Sequence, residues 1–165
     1  MTDTDKTSPV DFIYKLIATG LFTGYLPTAP GTWGSLLACV ILWLVWPEHW
    51  YYQLLIILLF YPVAVFFAGK GVKYFGPDGR PIVIDEIIGQ AVALFMAPKS
   101  IIAYILGFFL FRIFDVIKPQ PARSWEKLHG GVGIVADDIA AGVYAAVVLQ
   151  LILALLTSIG VELVV

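Results

Sequence analysis

Cysteine is nearly missing: Cys39 is the one example in 165 residues, and it sits inside an apolar run. That excludes an intramolecular disulfide and any cysteine-based metal site. Charge is sparse too, at 13% of residues with a net of -2 and no long basic run, which removes the positive field that nucleic acid requires. No nucleic-acid partner is expected. Met1–Ser8 lacks the basic-then-apolar order of a cleaved leader, so the first span is expected to serve as an uncleaved signal. There is no internal repeat and no low-complexity linker. The chain reads as one domain over residues 1–165, with residues 1–9 a flexible lead.

What it has in excess is apolar surface: 60% hydrophobic residues and a mean hydropathy of +0.90, against roughly 45–50% apolar content in soluble domains. A soluble core of this size could not hide that much. The apolar stretches Ser35–Trp46, Tyr51–Ala68, Ile82–Ala97, Ser100–Phe114 and Ile139–Ile159 predict an all-α integral membrane protein of about five transmembrane helices. Several fall short of the ~20 residues a straight span needs, so flanking residues must extend them or the bilayer must thin. Val10–Leu26 mixes Ile13, Leu16, Ile17 and Phe22 with Asp11, Lys15, Thr19 and Gly20, which predicts an interfacial or re-entrant helix. With a cytoplasmic N-terminus, every lysine and arginine except Lys99 lies inside or at the inner boundary, as the positive-inside tendency requires. Trp43, Trp46, Trp50, Tyr51 and Tyr52 then form an aromatic belt at the first outer boundary.

Three segments interrupt the apolar pattern, all on the inner side in this topology. The first, Thr19–Ser35, holds four glycines with Pro27 and Pro30. A glycine-rich turn entering a helix offers free backbone N–H groups to an anion, and Thr28, Thr32 and Ser35 add hydroxyls; glycine at this density also marks tight helix packing. In the second, Asp85 and Glu86 are adjacent within Ile82–Gln90, where an unpaired carboxylate costs at least about 2.5 kcal/mol in hydrocarbon; a helix N-terminus, whose dipole favours acids, is the alternative reading. The third carries Arg112, Asp115 and Lys118 at helical spacing, a trio that a snorkelling ion-pair ladder would also explain, then Pro119 and Pro121 as stops, then His129, which also fits a solvated loop, beside Gly130 and Gly131, then Asp137 and Asp138 before the last span, where one fits an N-cap. Asp85, Glu86, Asp115, Asp137 and Asp138 come from three spans and can meet at one depth. An all-oxygen set of that kind suits a hard cation, and Arg112 and Lys118 suit phosphate oxygens.

The strings Pro30-Gly-Thr-Trp-Gly-Ser35, Ile84-Asp-Glu-Ile-Ile-Gly89, Phe111-Arg-Ile-Phe-Asp115 with Lys118-Pro119, and His129-Gly-Gly-Val-Gly-Ile134 with Asp137-Asp138 closely resemble the bacterial phosphatidylglycerophosphatase A family. The resemblance runs from about Thr19 to Gly142. It implies a Mg²⁺-dependent, multi-pass inner-membrane enzyme with its site facing the cytoplasm, which removes the terminal phosphate of phosphatidylglycerophosphate. On that reading Asp85, Glu86, Asp115, Arg112 and Asp138 are the catalytic set. The five acids are the metal ligands, and Arg112, Lys118, Thr32, Ser35 and His129 contact phosphate. No Cys-x₅-Arg loop is present, and the acid-bearing segments hold no Asp-x-Asp pair, the one such spacing being Asp3-Thr4-Asp5 in the polar lead, so attack by water is the simpler route. Two other classes remain open from the residues alone. A small proton-coupled carrier would also keep intramembrane acids, though near mid-bilayer and with repeat symmetry. A Mg²⁺-dependent membrane phosphotransferase would also cluster aspartates.

Overall fold

The computed structural model describes residues 8–77, 79–120 and 130–161. Every regular element among them is helical: α1 Pro9–Ala18, a 3₁₀ turn Thr23–Tyr25, α2 Pro30–Val45, α3 Trp50–Phe75, α4 Ile84–Ala93, α5 Ile101–Ile117 and α6 Gly131–Ser158. The lead expected over residues 1–9 lies outside the described residues except for Ser8 and Pro9. These two belong to the helix: Ser8 Oγ accepts from Val10 N at 3.4 Å and Pro9 opens α1.

α1 is the amphipathic segment expected near the N-terminus, but it stops at Ala18 instead of running to Leu26. Gly20, Leu21 and Phe22 all take positive φ, at 51°, 53° and 70°, and three consecutive left-handed residues cannot continue an α-helix. α1 lies along the last turns of α3, where the Tyr74 hydroxyl donates to the Asp11 carboxylate and Lys15 sits over the Tyr74 ring at 5.1 Å.

Among the described residues only α3, with 26 residues, and α6, with 28, are both long and apolar enough to cross a membrane; at 1.5 Å per residue they reach about 39 and 42 Å. α2 has 16 residues and α5 has 17. The expected third span corrects most: only Ile84–Ala93 of Ile82–Ala97 is α-helical, about 15 Å of rise. Its continuation is an irregular turn whose backbone groups are met by two glutamines. Gln53 on α3 accepts from Met96 N at 2.8 Å and donates to Pro47 O at 2.8 Å, while Gln150 on α6 donates to Phe95 O at 3.1 Å. Irregular backbone among apolar helices persists only when such partners satisfy it.

A second correction concerns α6. It begins at Gly131 rather than near Ile139, so Asp137 and Asp138 lie inside the helix and neither is its N-cap; Gly130, at φ 70°, holds that position. A Cβ on Gly131 would overlap the Val65 carbonyl and come within 2.8 Å of Gly69 N. The glycines that look like a loop in the sequence are therefore what lets α6 start pressed against α3.

Side chains distribute inside out. Small residues such as Ala64, Ala68, Ala93, Ala103 and Ala145 fill the contacts between helices, while Leu44, Leu58, Leu59, Phe109, Val116, Leu151 and Leu155 face outward. The aromatic belt divides. Trp50, Tyr51 and Tyr52 are exposed, but Trp46 is buried and Trp43 turns in to meet Tyr104 edge-on at 5.0 Å.

Candidate active site

The site is assembled around the first turn of α4. All four glycines between Thr19 and Ser35 face residues 81–87: Gly20 meets Val83 and Ile87, Gly24 the Pro81 carbonyl, Gly31 Glu86, and Gly34 Val83. A Cβ on Gly34 would approach Val83 Cβ to 2.7 Å, well inside van der Waals contact. Val83 N also donates to Ala18 O at 2.9 Å. The glycine-rich segment thus serves as a sleeve that presses the start of α4 into place. On the other side α4 closes on α6 in the same way: a Cβ on Gly142 would lie 2.5 Å from Gly89 O, and one on Gly89 would lie 2.8 Å from Asp138 O.

This close packing brings Asp85, Glu86 and Asp138 together, with one carboxylate oxygen from each lying within 4.8 Å of the others. Oxygens sharing one hard cation at roughly 2.0–2.6 Å are at most about 5 Å apart. Asp85 Oδ1, Glu86 Oε2 and Asp137 Oδ1 are buried with no hydrogen-bond partner among the described residues. Acceptors left bare in an apolar surround carry a large desolvation cost that a cation would remove. The donor set and its orphaned oxygens fit a hard divalent ion.

The other two acids are held by cations. Arg112 Nη1 lies 2.9 Å from Asp115 Oδ2, and Lys118 Nζ lies 2.7 Å from Asp137 Oδ2. Lys118 occupies the left-handed C-cap of α5, at φ 46°, and from there reaches across to α6. All five acids and Lys118 line one cavity of about 250 Å³.

Three residues expected at phosphate stand elsewhere. Arg112, Ser35 and Thr32 do not line this cavity. Ser35 is fully buried; its hydroxyl donates to Gly31 O at 2.9 Å and accepts from Arg112 Nη1 at 3.3 Å. Ser35 therefore ties α2 to the arginine, and Arg112 reaches the cavity through Asp115. His129 and Pro121 lie outside the described residues.

Two residues escaped the sequence reading. Gln90, on α4 one turn beyond Glu86, is fully buried with neither amide atom partnered among the described residues; an amide in an apolar stretch at i+4 from an acid was the available signal. Arg80 had counted only towards orientation. It lines a second cavity of about 210 Å³ that shares Asp85, Glu86 and Ile134 with the first.

A helical bundle with an apolar exterior and an acidic cleft, in which three converging carboxylates stand beside two cation-held ones, defines a class of membrane-type helical protein whose cleft suits a hard cation. Residues 16–153 match the family described as phosphatidylglycerophosphatase A, and the chain belongs to that family. Among curated relatives, a phosphatidylglycerophosphatase A of Escherichia coli is 37% identical over 142 residues, covering 84% of this chain and 83% of the relative. One of Haemophilus influenzae is 36% identical over 157 residues, covering 90% and 94%. A protein of Bacteroides thetaiotaomicron named a putative phosphatidylinositol-3-phosphatase is 37% identical over 147 residues, covering 84% and 92%. No solved structure matches.

Proposed function

We infer that this protein hydrolyses the terminal phosphomonoester of phosphatidylglycerophosphate, giving phosphatidylglycerol and phosphate, at the inner face of a bacterial cytoplasmic membrane. The observation that carries the reading is the convergence of Asp85, Glu86 and Asp138 on a cavity also lined by Lys118, in a chain of this family. Asp85, Glu86 and Asp138 would hold Mg²⁺, with Asp115 and Asp137 completing the acidic wall. The bound cation would supply the positive charge that phosphoryl oxygens need in the transition state. Lys118 offers its ammonium to the same oxygens and restrains Asp137. Arg112 acts one step back: its guanidinium joins Ser35 on α2 to Asp115, fixing that carboxylate in the cavity wall. In the reaction the phosphorus–ester bond breaks as a water oxygen bonds to phosphorus; the water's proton passes to a carboxylate of the wall, which returns a proton to the departing glycerol oxygen, so that phosphatidylglycerol leaves as the alcohol.

The outward Leu, Val and Phe side chains support placement within a bilayer, because a soluble monomer rarely exposes apolar patches larger than a few hundred Å². In that reading α3 and α6 cross fully and α2 and α5 cross where the bilayer is thin. α4 with its glutamine-held turn makes the remaining crossing as a short helix. The acidic cluster sits at the cytoplasmic ends of the spans, which disfavours a carrier, whose ion sites lie near mid-bilayer. The test is phosphate release by the purified protein from phosphatidylglycerophosphate and phosphatidylinositol 3-phosphate, with EDTA and after restoring Mg²⁺. Release from the first lipid that EDTA abolishes and Mg²⁺ restores is the expected result. Hydrolysis of the inositol lipid alone, or release indifferent to EDTA, would overturn the reading.

A further inference from the structure

The carboxylate pair of α4 lines two cavities, and the proposed hydrolysis uses one of them. The second, of about 210 Å³, is lined by Pro30, Gly79, Arg80, Ile82, Asp85, Glu86 and Ile134. Among the described residues its one cation is Arg80, an exposed side chain of the α3–α4 connection with no ion pair or hydrogen bond to any of them. An arginine beside two acids would ordinarily pair with them. Here Asp85 and Glu86 turn towards Asp138 instead, so the guanidinium is left to meet something else.

Resting on the reading that the substrate is phosphatidylglycerophosphate, we propose that the Arg80 cavity binds the second anion of that lipid, the phosphodiester linking its headgroup to diacylglycerol. The substrate has two phosphates of different kind, and the site has two cavities that share one carboxylate pair. Lys118 stands on the first and Arg80 on the second. A phosphodiester keeps a single charge spread over two free oxygens, which a guanidinium fork matches with two parallel hydrogen bonds. Once a cation neutralises the carboxylates, Arg80 dominates the field of its cavity. The terminal phosphate then lies at the acidic cluster while the diester anchors the lipid, so Arg80 selects substrates with both groups.

The two anion positions can be separated with two inhibitors of phosphatidylglycerophosphate hydrolysis by the full-length protein in detergent. Dihexanoyl phosphatidylglycerol carries only the diester; inorganic phosphate mimics only the transferred group. In Arg80→Ala, inhibition by the dihexanoyl lipid should weaken about tenfold, the scale of one lost charge-assisted pair, while inhibition by phosphate stays as in the wild type. Arg80→Lys should fall between, because charge survives without the fork. Unchanged inhibition by the dihexanoyl lipid, or an equal loss for both inhibitors, would overturn the inference alone. A wild-type protein inactive on phosphatidylglycerophosphate would overturn the reading beneath it as well.

Discussion

Among individual residues, the five acids look alike in sequence and unlike in space. Asp85, Glu86 and Asp138 face one another, whereas Asp115 and Asp137 each already hold a cation. Asp85→Asn, Glu86→Gln and Asp138→Asn should therefore each remove most activity and raise the Mg²⁺ concentration needed for half-maximal rate. Asp137→Asn, which mainly releases Lys118, should raise KM more than it shifts that requirement. Mg²⁺ titrations of phosphate release would show the split, and identical titration curves for all four variants would contradict it. Arg112→Lys tests the arginine's indirect position. Lysine cannot span Ser35 and Asp115 together, so kcat should fall by about 10- to 100-fold, on the scale of one misplaced catalytic group, with phosphate inhibition little changed.

The glycines yield a sharper comparison. A Cβ on Gly31 would strike the end of the Glu86 side chain and lie 3.2 Å from Arg112 Nη1, whereas one on Gly24 would strike the Pro81 backbone. A side-chain end can move aside and backbone cannot. Gly31→Ala should fold normally yet bind Mg²⁺ less well; Gly24→Ala should lower the yield of folded protein. Thermal unfolding in detergent beside Mg²⁺ titration distinguishes these outcomes.

At the level of elements, α4 is the exception that organises the rest. It is short because the chain must leave its axis near Leu94, and Gln53 and Gln150 pay for that departure with hydrogen bonds to Met96 N and Phe95 O. Gln53→Leu would remove both the acceptor for Met96 N and the donor to Pro47 O. Leaving such groups bare costs about 1–3 kcal/mol each, so thermal stability in detergent should drop by several degrees even though the site is at the far end of α4. A stability equal to wild type would mean that the turn does not depend on Gln53. The four-glycine sleeve was visible in the sequence as a cluster, but its partner, the start of α4, lies more than forty residues away for every one of them, and local spacing carries no record of such a contact.

For the molecule as a whole, the distribution of charge predicts orientation. A reporter at the N-terminus and one beside Arg80 should both be cytoplasmic, and one beside Glu48 should be outside. Accessibility labelling that placed Arg80 and Glu48 on one face would refute the topology. By itself the sequence determined the helical class, the apolar exterior, the family and the five acids that come to line one cavity, because these depend on composition and on short strings whose chemistry is local. Tertiary structure decided which acids face one another, that Ser35 and Arg112 brace the site from outside the cavity, that α6 starts at Gly131 and that α4 is cut short. Each of those follows from contacts between residues distant in the chain: glycine against backbone, glutamine against an irregular turn, arginine against a hydroxyl on another helix. Periodicity reports which face of a helix is apolar, and it cannot report how closely two helices approach.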